Sequence, residues 1–292
     1  MGFRSIKQYV QALYSNGTSL ETSFQKTTGA SAYTAGAWYD LTLCAGSPRS
    51  NVYPGNLLEA TRLYYKSAGN LWHGGPVGPA TMHVKGAHTE TVSATVAPSA
   101  LMLCDFIMFY PMIDFDNSSE QDFDNTPRSL DRYADGNGLR MFIVSTSDIG
   151  SGIANLTVQY TNERGQTGRN LGLQVQNAAS AQAGRIIHSG VSAKNYGPFL
   201  PLQAGDAGVR SVDWVTLDNG TGGGWCTLVI CKPLLTIPLL TVGVPSERDY
   251  FVDIPSLPQV RDNAYLGWLM FAGAAVPASS VIRGRVEFVW NS

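Results

Sequence analysis

The chain repeats itself. Leu101-Met102-Leu103-Cys104, followed by Ile107-Met108 and Pro111, is matched without a gap by Leu228-Val229-Ile230-Cys231, Leu234-Leu235 and Pro238, at a shift of 127, the distance from Cys104 to Cys231. Ser129-Leu130, Asp135 and the run Leu139 to Val144 meet Ser256-Leu257, Asp262 and the run Leu266 to Phe271 at the same shift. The terminal runs Leu156 to Tyr160 and Val286 to Trp290 agree at 130, as a short loop insertion would require. Two separate segments with one shift constrain the fold more than any local pattern does, because two units of about 130 residues, an ordinary domain size, are then expected to fold alike. The expected division is an N-terminal arm over residues 1–30, one unit over 31–162 and a second over 163–292. The repeat leaves open whether the units pack separately or share a sheet.

Within the units the local pattern is that of strands. Trp38 to Leu43, Thr89 to Val96, Arg140 to Ser145, Leu156 to Tyr160, Val209 to Val215 and Val281 to Val289 are rich in Val, Thr and aromatic residues with partial alternation. Asp135-Gly136-Asn137-Gly138, Asn219-Gly220 and Glu163-Arg164-Gly165 supply turns between them. Outside the arm no amphipathic helical pattern persists for a dozen residues. The expected fold class is all-β: two tandem antiparallel β-sandwiches of jelly-roll type, with an immunoglobulin-like pair as the alternative. The arm reads as a helix, since Ile6, Tyr9, Val10, Leu13 and Tyr14 recur at three- and four-residue steps after Ser5, and Asn16-Gly17 ends the run. Its stripe needs cover, and Ile6, Tyr9, Val10 and Leu13 are the expected anchors on a neighbouring subunit or on the chain's own body.

Charge excludes several classes. Only 14% of residues are charged and the net charge is -2, so there is no long-range field to collect free nucleic acid or an anionic membrane. The most apolar window, Trp225 to Val244, is interrupted by Lys232, Pro233 and Pro238, which speaks against a spanning helix. The start lacks the pattern of a signal peptide, so folding in a cytoplasm is expected, and Ile6 occupies the place where a myristoylation motif after Gly2 wants Ser or Thr.

Chemistry-bearing motifs are few. There is no phosphate loop, nucleophile elbow, zinc helix or dinucleotide fingerprint, and a non-enzymatic protein without cofactor is expected. The acidic stretch Ile113 to Asn125 offers Asp114, Asp116 and Glu120 as calcium candidates, but Ser119 and Asn125 stand where an EF-hand needs glycine and a bidentate Glu. His83 and His88, five apart, are expected on opposite faces of a strand and so are poor joint metal ligands. Cys44, Cys104, Cys226 and Cys231 form no Cys-x-x-Cys pair and read as buried free thiols. Arg128, Arg132 and Arg140 are candidates for polar contacts at a subunit seam. Asn70 with Trp72-His73 is the one local cluster suited to a sugar.

Gly197 to Val212, Lys232 to Pro238, Phe288 to Asn291, Met1 to Tyr14 and Thr34 to Asp40 together resemble a family of structural proteins of tailed-bacteriophage virions. The resemblance runs over most of the chain, yet that family has no motif with an assigned chemical role, so it carries no site residue across. It implies a virion component made in the host cytoplasm, of the head decoration or minor capsid type before a tail, baseplate or connector part. Partners are then other virion proteins, such as the major capsid protein, and the chain itself. A homotrimer is expected, because two similar units per chain would let three chains present six nearly equivalent units to a shell. A glycan- or receptor-binding module is the alternative from another class.

Overall fold

The computed structural model describes residues 3–92, 99–191, 197–253 and 257–291. Residues 93–96 of the expected strand Thr89 to Val96, Gly2 and Ser256 lie outside the described residues. A helix, α1 (Ile6–Tyr14), precedes β1 (Ser19–Thr27), β2 (Trp38–Asp40), β3 (Ala45–Ser47), β4 (Thr61–Arg62), β5 (Met82–Thr91), β6 (Ser99–Asp114), β7 (Gln121–Asp122) and β8 (Arg140–Ser145). There follow β9 (Asn155–Asn162), β10 (Arg169–Asn170), β11 (Val175–Gln176), β12 (Val209–Leu217), β13 (Trp225–Leu239), β14 (Ser246–Asp249), β15 (Gln259–Val260), β16 (Leu266–Ala272) and β17 (Val281–Trp290). The chain is therefore all-β with one short N-terminal helix. Its sheets are antiparallel: a central one in the order β2-β16-β6-β13-β8, an outer one in the order β14-β5-β17-β1-β3, and a second outer one in the order β10-β9-β12-β7.

The long apolar runs of β6 and β13 have a structural cause: both strands are buried on both faces. On one face Leu101 and Leu103 join Leu235, Ile237 and Leu239 against Val84, Ile282, Val286 and Phe288 of the first outer sheet. Further along the same face Ile107, Tyr110 and Ile113, with Cys226, Leu228 and Ile230, pack on Leu156, Val158, Val212 and Val215 of the second. The opposite face gathers Cys104, Phe106, Phe109, Phe142, Val229, Cys231 and Leu269 beneath Tyr53, Leu63, Ile186 and Tyr265. The window Trp225 to Val244, the most apolar of the chain, is thus mostly the doubly buried strand β13. No helix among the described residues is long and apolar enough to cross a membrane.

The central sheet curls until its edges meet. Residues 184–187 lie between the edge strands: Ile186 N–H donates to Trp38 O at 2.9 Å on one side, and Ile187 N–H donates to Ile143 O at 3.1 Å on the other. Bridges Tyr39 to Arg185 and Val144 to Ile186 mark the same closure. Backbone groups that an open edge would leave to solvent are satisfied inside the molecule.

The two halves share this sheet and exchange strands. Each outer sheet draws strands from both sides of residue 162, since β5 pairs with β14 and β17, and β12 pairs with β7 and β9. The terminal strands also match at a shorter shift than the sequence suggests: β9 begins at Asn155 and β17 at Val281, a distance of 126.

Candidate functional site

The helix α1 begins where Ser5, in extended conformation, accepts a hydrogen bond on its side chain from Gln8 N–H at 3.2 Å. One face of the helix is spent on the molecule itself. Tyr9 and Ala12 are buried, and with Val289 they form a small core to which Phe3, Leu13 and Leu257 add. The Tyr9 ring stacks on Phe251 with centroids 4.1 Å apart and meets Phe3 edge-on at 5.3 Å. Burial pushes the Tyr9 phenol well above its ordinary range.

The other face is apolar and uncovered. Ile6, Val10 and Tyr14 are 69%, 45% and 82% exposed at four-residue spacing, and Val252, next to Phe251 in sequence, is 75% exposed. Of the four expected anchors, Tyr9 and Leu13 are turned onto the chain's own body, whereas Ile6 and Val10 face solvent. The reason is the 100° step of the helix, which puts positions 6, 10 and 14 on one stripe and 9 and 12 on another. Tyr14 belongs to the outward stripe, as its spacing in the sequence signals.

A second apolar surface lies at the far end of β6 and β13. Val52, Met112 and Trp225 are exposed around a shallow pocket of about 320 Å³ whose other walls are Tyr53, Pro111, Thr146, Ser147 and Thr227, none of them charged. Met112 sits at φ +63, where the ladder slips between the pairs Tyr110 to Leu228 and Ile113 to Cys226. That bulge turns its side chain out of the strand's alternation. Three glycines before Trp225 were the only sequence hint of this corner.

The acidic loop does not assemble into a cation site. Among the described residues no group of three or more His, Cys, Asp or Glu is placed to hold a metal ion. Asp114 Oδ1 accepts from Asp116 N–H at 2.9 Å, and Asp116 Oδ1 accepts from Gly222 N–H at 2.9 Å, so both carboxylates cap loop backbone. Glu120 is exposed. Asp114 and Asp116 are therefore turn-forming residues.

For the histidines the parity argument fails, because β5 carries a bulge between Val84 and Gly86. Consecutive Gly86 and Ala87 are both buried, which leaves His83 and His88 on the same outward face. They have separate surroundings: His83 Nδ1 lies 3.2 Å from Leu257 O, while His88 borders an open polar depression with Glu90, Arg283 and Arg285. All four cysteines are buried and free. Burial pushes the Cys44 thiol up to about 11 and those of Cys104 and Cys226 well above their usual value.

Arg132, expected at a seam, is instead buried against Asp105, with Nη2 to Oδ1 at 2.6 Å and Nε to Oδ2 at 2.9 Å. Asp105 interrupts the apolar run of β6, and a lone acid in such a run is a signal for a buried partner. Arg140 donates to Ala207 O at 2.8 Å and Arg128 to Pro127 O at 2.8 Å. In the Trp72 cluster the Asn70 side chain donates to Tyr65 O and accepts from Leu266 N–H, so it is spent on backbone. Trp72 and Tyr64 remain 49% and 46% exposed. Compared with protein-family models, curated proteins and solved structures, the chain matches none.

Proposed function

We propose that this chain is a non-enzymatic structural protein of a bacteriophage virion, a head decoration or minor capsid protein that stabilises the shell through subunit contacts. The observation that carries the reading is the two-faced helix: Tyr9 anchors it to the body, and the anchored helix holds Ile6, Val10 and Tyr14 outward as a rigid apolar stripe. Exposed apolar side chains fixed in a row mark an interaction surface, and a preformed one loses little conformational freedom on docking. Covering three such side chains is worth roughly 5 kcal/mol before the cost of association. The resemblance to tailed-phage structural proteins supplies the virion context, and it points to the major capsid protein and to further copies of the chain, as a homotrimer, as partners. The low charge of the chain suits adhesion by burial.

The test compares wild type with the triple variant Ile6→Ser, Val10→Ser, Tyr14→Ser by light scattering over a concentration series, and by co-sedimentation with shells of the encoding phage. These side chains touch solvent in the single chain, so the variant keeps the wild-type circular dichroism spectrum. The expected result is a wild-type mass of three times 31.4 kDa and a monomeric variant that no longer sediments with shells. A variant that assembles and sediments like wild type would sink the proposal. A glycan-binding module draws on one observation, the exposed Trp72 and Tyr64, and saturable binding in a glycan screen, abolished by Trp72→Ala, would favour it.

A further inference from the structure

The ladders show who pairs with whom. Among the described strands, none of β12 to β17 is hydrogen-bonded to another of β12 to β17, and none of β5 to β9 to another of β5 to β9. Every one of those eleven strands is held by a strand from the other part of the chain.

The registers obey the repeat. Ser99 lies opposite Ala272 and Cys104 opposite Gly267 in the β6 and β16 ladder. Moving each first partner forward and each second partner back by 127, the distance from Cys104 to Cys231, gives Cys226 opposite Ser145 and Cys231 opposite Arg140. Those are the two ends of the β13 and β8 ladder, and every pair between them corresponds as well. In the outer sheets Ile282 opposite Thr91 and Gly284 opposite Thr89 become, at a shift of 126, Leu156 opposite Leu217 and Val158 opposite Val215, which are also observed. At the centre of β6 and β13 Asp105 lies opposite Lys232, its own equivalent, while the flanking pairs Phe106 to Cys231 and Cys104 to Pro233 exchange. That is the signature of a two-fold axis through the Asp105 and Lys232 pair. The closing strip 184–187 stands to β8 as β2 stands to β16, so the closed central sheet follows the same symmetry.

We infer that the two halves of this chain are obligate partners, an interlocked pair related by a pseudo-two-fold axis, in which each half is the surface the other folds on. A half by itself would leave the edges of its long strands open, apart from β3 beside β1 and β4 beside β6, and its inward faces, Leu156, Val158 and Ile282 among them, would lack the facing strands that bury them. Such an arrangement is what fusing two copies of a strand-exchanged dimer into one chain produces. The inference rests on the ladders alone and stands or falls apart from the virion reading.

The test cuts the full chain once. A specific protease site is inserted after Gly165, in the exposed 164–168 loop between the halves, and the uncut insertion variant, melting like wild type, shows that the insertion is harmless. After cutting, the expected product is one particle that elutes on native gel filtration where the uncut variant does, with unchanged circular dichroism. Its halves come apart only in denaturant, in one transition that coincides with loss of the sheet signal. Because unfolding now yields two pieces, each tenfold dilution lowers the stability by about 1.4 kcal/mol. Halves that separate without denaturant, halves that keep their sheet signal once apart, or a midpoint indifferent to dilution would each overturn the inference.

Discussion

Replacing Asp105 tests how the centre of the molecule is held. The carboxylate is fully buried at the crossing of the two halves, and it accepts from Arg132 Nη2 at 2.6 Å, from Arg132 Nε at 2.9 Å and from Tyr265 N–H at 3.0 Å. Arg132 adds bonds from Nη1 to Leu63 O at 2.9 Å and from Nη2 to Phe106 O at 2.7 Å, and its side chain is only 4% exposed. Two opposing effects act on the carboxyl group. Burial raises its affinity for a proton and the guanidinium lowers it; burial is the larger, so the group titrates above the ordinary carboxylate value. Breaking one member of a buried pair leaves the other charge without compensation, at a cost of about 3–5 kcal/mol. Asp105→Asn keeps the shape and one acceptor oxygen, so it is expected at the low end, about 3 kcal/mol, and Arg132→Met at a similar value. With both changes made no buried charge is left at this crossing, and the double variant is expected to lose about 2 kcal/mol less than the sum of the singles. Urea unfolding followed by circular dichroism at constant m-value measures all four proteins. Strict additivity, or singles costing under about 1 kcal/mol, would refute the account.

Three further outcomes are expected. His188 is fully buried with neither ring nitrogen bonded, and burial pushes its imidazole down to about 3. Only the unfolded chain takes up that proton below about pH 6.5, so the contribution is present above that pH and is lost as pH falls toward 3, by about 2 kcal/mol between pH 7 and 5. Asp40 and Asp105 are shifted upward and act in the opposite sense, so the measure is the difference in denaturant stability between wild type and His188→Leu; equal acid slopes would contradict it. Gly46 lies at φ +133 in β3, where an added Cβ would collide with the Gln25 carbonyl, so Gly46→Ala should lower stability by about 2 kcal/mol or more, read as a fall in melting temperature. Finally, native protein at pH 8 should leave its four buried thiols unlabelled by iodoacetamide over the time in which the urea-unfolded chain labels completely, and rapid native labelling of Cys104 or Cys231 would contradict the packing.

The class of fold was legible because it depends on short-range patterns. Strand-forming residues broken by turn residues, and a single helical stripe behind Ser5, are properties of neighbouring positions, and β8 coincides with the expected run Arg140 to Ser145. The buried thiols were legible for the same reason, since Cys104 and Cys231 stand inside apolar runs. The parity of His83 and His88 was not, because a bulge shifts alternation by one residue and leaves no mark in residue type. For the outward stripe of the helix, spacing identified the apolar positions, but which of them face the body was decided by Val289, Phe251 and Leu257, residues more than two hundred positions away.

What the sequence by itself determined is that the chain is all-β, begins with a helix and is built twice from one pattern of strands. What only the tertiary structure decided is which strand lies beside which. A repeat is satisfied equally when a unit pairs with itself and when it pairs with its copy, because equivalent strands offer the same backbone edge and the same inward face to either partner. Burying both faces of β6 and β13 settles that choice. Each needs a sheet on one side and the closed core of Phe106, Phe142 and Val229 on the other, and the chain supplies both by interleaving its halves.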